Sequence, residues 1–159
     1  MNWPGSSFIL HPSSLVMRVS AKAQYACIAM LALASNYQQP QLMQVKTIAD
    51  THGISPRFLV QILLQLKVNG LVRSVRGASG GYQLARSPDD ITLADVINAI
   101  DDPAPAMPPA LKALKPSPAA DALSSVLQDV DAMERQLLRE LTLVELIRRS
   151  EASGVMYQI

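Results

Sequence analysis

Six residues near the middle of the chain, Arg76-Gly77-Ala78-Ser79-Gly80-Gly81, admit few folds. Their glycines permit a tight reversal and let another backbone approach closely. The run before them, Leu71-Val72-Arg73-Ser74-Val75, alternates and is β-prone, and Tyr82-Gln83-Leu84-Ala85 can form the return strand. The segment therefore reads as a glycine-tipped β-hairpin. A glycine-rich loop can also cradle nucleotide phosphates, but that needs a strand–loop–helix setting and usually a Lys-Ser/Thr pair or a later acid. Here the loop joins two strands and carries no lysine, so that reading ranks below the hairpin.

Three helical segments precede the hairpin. Ala21 to Ala34 is Ala-rich and apolar, and Tyr25, Ile28, Leu31 and Ala32 are expected to form its buried stripe. Val45, Ile48 and Ala49 mark a short second helix that stops at His52-Gly53, where glycine suits the left-handed residue after a helix. Ser55-Pro56 opens the third, as a capping hydroxyl followed by a proline whose missing N–H costs nothing in the first turn. This third helix is expected to run to about Asn69-Gly70. On a helical wheel Leu59, Ile62, Leu63 and Leu66 face the core, whereas Arg57, Val60, Gln61 and Leu64 share another face.

After the hairpin, Ser87-Pro88-Asp89-Asp90 breaks the chain, and Thr92 with Asp95 resembles a capping box for a helix to about Ile100. Residues 102–118 hold six prolines and read as a linker. From Ala119, Leu123, Leu127, Val130, Met133, Leu137 and Leu141 recur in steps of three and four, the pattern of a long amphipathic helix. Thr142 and Glu145 are suited to cap a short further helix through Ile147. The expected organisation is a disordered tail at 1–16, a domain of helices and hairpin at 17–101, a linker at 102–118, a long-helix region at 119–148 and a C-terminal tail at 149–159. Met17, directly before the patterned segment, is an alternative start.

Composition narrows the function. Hydrophobic residues make up 49 % of the chain but aromatics only 4 %, so the core is aliphatic. A single cysteine, Cys27, excludes an intramolecular disulfide framework and an all-cysteine metal site within one chain. Cys27 is expected to pack as a small hydrophobe. His11 and His52 have no partner at metal-ligand spacing, so no metal or cofactor is expected. No apolar run reaches the roughly 18 residues a membrane span needs. The first 16 residues carry no Lys or Arg, so the basic start of a signal peptide is missing, and a cytoplasmic protein without a membrane partner is expected.

Net charge is +1, but it is unevenly spread. From Met17 to Pro88 eight basic residues face one acid, Asp50, whereas from Asp89 onward six face twelve. A basic half of this kind suits nucleic acid, although two solvated faces of opposite sign would look the same.

Together these features describe a mainly α fold with a small β-hairpin wing, a winged helix-turn-helix followed by a long dimerisation helix. A helix fits the major groove and presents its N-terminal residues to base edges. Arg57 can pair with guanine, Gln61 with adenine, and an apolar residue such as Val60 can meet a thymine methyl. Arg76 can enter a minor groove beside Gly77, Gly80 and Gly81. Lys22, Lys67 and Arg73 are phosphate candidates, and Ser55 sits at the start of the reading helix.

Several motifs carry a family resemblance. They are Met17-Arg18-Val19-Ser20-Ala21-Lys22 with Tyr25-Ala26, Ile48-Ala49, Gly53-Ile54-Ser55, Phe58-Leu59-Val60-Gln61, Gly70-Leu71-Val72, Ser74-Val75-Arg76-Gly77 and Gly80-Gly81-Tyr82. Ile91-Thr92-Leu93, Asp95-Val96-Ile97, Leu141-Thr142-Leu143 and Glu145-Leu146 continue them. The chain resembles the IscR/NsrR/CymR (Rrf) family of winged helix-turn-helix transcriptional regulators from about Met17 to Ile147. The resemblance implies a bacterial homodimer that represses or activates, with its long helix swapped across the dimer. It implies double-stranded DNA with a pseudo-palindromic operator as partner, and a repressor is the expected mode. Two departures stand out. Cluster-binding members have three closely spaced cysteines between the Asp95 helix and the long helix, where this chain has a proline-rich stretch without Cys or His. Many relatives carry an acid at the position of Val60. A cluster-free member answering to an unnamed small-molecule or protein effector is the expectation. A protein–protein adaptor on the same scaffold is the alternative. An enzyme ranks third, because no Ser/His/Asp or Cys/His set and no paired carboxylates in a glycine-rich cleft are present.

Overall fold

The computed structural model describes residues 19–102 and 112–156. The expected tail at 1–16 and most of the linker lie outside them. Ser20 caps α1 (Ala21–Ser35), its hydroxyl accepting from the Ala23 N–H. The buried residues of α1 are Ala23, Ala26, Ala29, Met30, Leu33 and Ala34, not the stripe expected from the wheel. Tyr25 stays 42 % exposed and Ile28 39 %, while Leu31 and Ala32 are half-buried. The helix is apolar almost all round, so periodicity marks no unique face. The small side chains face inward because α3, α4 and the C-terminal helix all crowd against α1.

α2 (Val45–His52) ends at Gly53, which adopts φ 65°, the left-handed cap its sequence position calls for. α3 (Pro56–Val68) follows with Ser55 as N-cap. The Ser55 hydroxyl makes no capping bond, contrary to expectation, so proline alone favours this start. Leu59, Ile62, Leu63 and Leu66 are fully buried.

The wing is β1 (Val72–Val75) antiparallel to β2 (Gly81–Leu84), in the register Val72↔Leu84 and Val75↔Gly81. Its tip turns at Gly77, φ 118°. Met43 forms an additional bridge to Tyr82, with N–H···O distances of 3.0 and 2.8 Å. A Cβ on Gly81 would stand 2.6 Å from the Met43 carbonyl oxygen, so this close approach requires glycine.

A 3₁₀ turn at Pro88–Asp90 leads into α4 (Leu93–Ile100), which carries the full capping box of Thr92 and Asp95. Then come α5 (Pro118–Glu140) and α6 (Leu143–Met156). α6 is longer than the short helix expected through Ile147, so residues up to Met156 are helical rather than a tail. Leu143 is fully buried in the same core as α1, α3 and α4. The Leu143 N–H donates to the Ile91 carbonyl at 2.9 Å and the Leu93 N–H to Leu141 at 2.8 Å. The segment after the long helix therefore completes the winged-helix core, and the expected 119–148 region is divided between two surroundings. Among the described residues, none of α5 is buried.

Candidate nucleic-acid interface

α3 turns one face inward and leaves Arg57, Val60, Gln61 and Leu64 outward. All four residues expected on the reading face are exposed together. Phe58 anchors the start of the helix, meeting the Tyr25 ring edge-to-face at 5.8 Å between centroids. The Gly53 turn sets the entry of α3 relative to α2.

A polar network that the sequence alone did not reveal fixes the C-terminal half of α3. Lys22 Nζ donates to Gln65 Oε1 at 2.6 Å, and Gln65 Nε2 donates to the Ile100 carbonyl at 3.3 Å. Asn69 Nδ2 reaches the Ala99 carbonyl at 3.3 Å. The Ser20 N–H donates to the Asp101 carboxylate at 2.8 Å, and the Ser20 hydroxyl donates to it as well. The start of α1, the C-terminal half of α3 and the end of α4 are thus tied together. The pairing of Ser20 with Asp101 spans 81 positions, beyond any local pattern.

Lys67 Nζ donates to the Ser74 hydroxyl at 2.7 Å, linking α3 to the wing. Lys67 remains exposed, as do Ser55, Arg73, Arg76 and Gly77, whereas Lys22, Gly80 and Gly81 are half-buried. Arg73 pairs across the hairpin with Gln83, and Arg76 follows β1 at the tip. The exposed helix face and the wing together carry the cations Arg57, Lys67, Arg73 and Arg76. Of the expected pairing residues, Leu123, Leu127, Val130, Met133 and Leu137 are exposed on α5, by 37 % to 73 %, and Leu141 is half-buried at its end.

A family model described as "Rrf2: Iron-dependent Transcriptional regulator" matches residues 19–149. A protein of Mycobacterium tuberculosis named as an HTH-type transcriptional regulator is 42 % identical over 130 residues, 81 % of this chain and 80 % of that one. CymR of Bacillus subtilis is 38 % identical over 87 residues, 55 % of this chain and 62 % of that protein. Among solved structures, T. potens IscR superposes with a TM-score of 0.70 at 32 % identity, covering 89 % of this chain and 96 % of that one. B. subtilis CymR, described as a global cysteine regulator, gives 0.70 at 29 % identity, covering 82 % and 96 %.

The donors present do not fit the iron of the family description. The chain has one cysteine, and Cys27 lies on α1 packed against the core. Burial, and then the nearby Asp101 carboxylate, push its thiol up to about 11, away from the thiolate a metal needs. His52 is exposed at the end of α2, and His11 lies outside the described residues. Among the described residues no three His, Cys, Asp or Glu side chains converge as a metal site. The family match runs through the helix-turn-helix, the wing, the long helix and the start of α6: the chain belongs to the Rrf2 family of helix-turn-helix transcriptional regulators.

Proposed function

We propose that this regulator binds a pseudo-palindromic operator as a homodimer and does so without an iron–sulfur cluster. The carrying observation is the exposed Arg57–Val60–Gln61–Leu64 face of α3 beside a cationic wing. In this reading α3 enters the major groove, where Arg57 and Gln61 contact base edges. Arg76 reaches a flanking minor groove from the wing tip, with Gly77, Gly80 and Gly81 allowing the backbone to approach. Lys22, Lys67 and Arg73 meet phosphates, and Ser55, its hydroxyl uncommitted to a cap, lies at the phosphate-facing start of α3.

Pairing runs through α5. Its exposed Leu123, Leu127, Val130, Met133 and Leu137 form an apolar row that the other described residues do not cover, and a two-fold dimer would bury it. Leu141 lies where this row meets the core. Repression by occupancy is the mode proposed, since a bound dimer needs no further contact to block a promoter. An effector acts on this dimer as a small molecule or protein. The location proposed is the cytoplasm, where the operator is.

Selection of bound duplexes from a random pool tests the reading. A two-fold symmetric site is the expected result. Failure to bind any duplex at low salt would return the scaffold to the adaptor role.

A further inference from the structure

Val60 is 38 % exposed and Leu64 51 % exposed on α3, where Leu59, Ile62, Leu63 and Leu66 are fully buried and Val68, 87 % exposed, ends the helix one turn beyond. Being four residues apart, they stand one above the other, about 6 Å along the axis. Arg57 and Gln61 flank them on the same face. A single exposed apolar residue needs no explanation. Two in register at the centre of the reading face do.

The surroundings select the occupant. A protein surface covering Val60 and Leu64 would also have to desolvate Arg57 and lie against the exposed cations Lys67, Arg73 and Arg76. A DNA major groove meets both demands, with phosphates along its edges for the cations. Its floor offers one apolar group, the C5-methyl of thymine. The 6 Å separation corresponds to roughly two base-pair steps of 3.4 Å. Resting on the DNA-binding reading above, we propose that Val60 and Leu64 are a methyl-reading pair that specifies thymine at two positions of each half-site.

The test replaces thymine by uracil in a selected operator, one position at a time. Uracil keeps the pairing edge and O4 and lacks only the methyl. The wild-type protein should lose about fourfold in affinity per methyl at two positions of a half-site, the equivalent of about 0.8 kcal/mol. Val60→Ala should abolish the loss at one of these positions and Leu64→Ala at the other, which a double-mutant cycle between protein and DNA measures. The proposal is overturned if no uracil substitution weakens the wild type, or if the losses persist undiminished in both variants. The uracil series on the unmutated protein keeps the test independent of how the variants fold. If selection yields no bound duplex, the DNA-binding reading fails instead, a different result.

Discussion

Gln61, Lys67 and Arg76 differ in what a DNA complex would ask of them, and so in what their loss should do. Gln61→Ala should relax base choice at one position per half-site, by roughly 1–3 kcal/mol for a bidentate contact. Arg76→Ala should weaken binding most on operators with A·T-rich flanks, where a narrow groove concentrates negative potential. Lys67→Ala should lower affinity evenly across sequences and flatten the salt dependence. Because the Lys67 ammonium also holds the Ser74 hydroxyl, Ser74→Ala is the control that separates lost charge from a displaced wing. Titrations on specific and scrambled duplexes at two salt concentrations check all three. Equal affinities for wild type and every variant would place the interface elsewhere. Cys27 gives a residue-scale prediction of another kind. Its thiol is raised from 9.0 to about 11, so at pH 8 the reactive thiolate is about 100-fold scarcer than in the unfolded chain. Alkylation of the native protein should lag the urea-unfolded protein by at least that factor. The raised value also means that this thiol favours the folded state below pH 9 and that the contribution disappears as pH rises towards 11.

Most elements were legible because their ends carry local chemistry. Gly53, Pro56 and the Thr92–Asp95 box each satisfy or replace backbone groups within a few residues, and the helices start or stop there as expected. The inward face of α1 was not legible, because an apolar helix offers no polar side to turn outward and its neighbours make the choice. The extent of α6 was missed for a related reason: its docking on α1 supplies the packing, and its own sequence after Ile147 is polar. Leu143→Ala should cost about 2–5 kcal/mol in denaturant unfolding, since it opens a cavity in the shared core. A loss below 0.5 kcal/mol would mean that α6 is not part of that core. Gly81→Ala should destabilise the wing by about 1–3 kcal/mol, as the new Cβ meets the Met43 carbonyl, and amide exchange should quicken at Tyr82.

For the whole molecule, the decisive surface is α5, a helix of 23 residues with no buried side chain in the single chain. Replacing Leu127 and Val130 together by aspartate should leave helix content unchanged and shift sedimentation to the monomer. Operator affinity should then fall by roughly 100-fold or more, because the second half-site no longer binds intramolecularly. A wild-type protein that sediments as a monomer at micromolar concentration would remove the symmetric-operator reading. Anaerobic purification followed by iron and sulfide assay should find nothing stoichiometric, because a single buried cysteine per chain cannot supply a cluster's ligands.

The sequence by itself determined the helix-turn-helix, the glycine-tipped wing, the outward set Arg57, Val60, Gln61 and Leu64, and the presence of a single cysteine. Each of these follows from residue chemistry within one or two helical turns, or from a count of residue types. Only the tertiary structure decided that Ser20 meets Asp101, that Gln65 joins Lys22 to the end of α4, and that Leu143 enters the core from beyond the long helix. Those contacts join residues from 35 to 81 positions apart. No local pattern encodes such pairings; they arise when several apolar surfaces close on one another and leave a few polar groups with no other partner within reach.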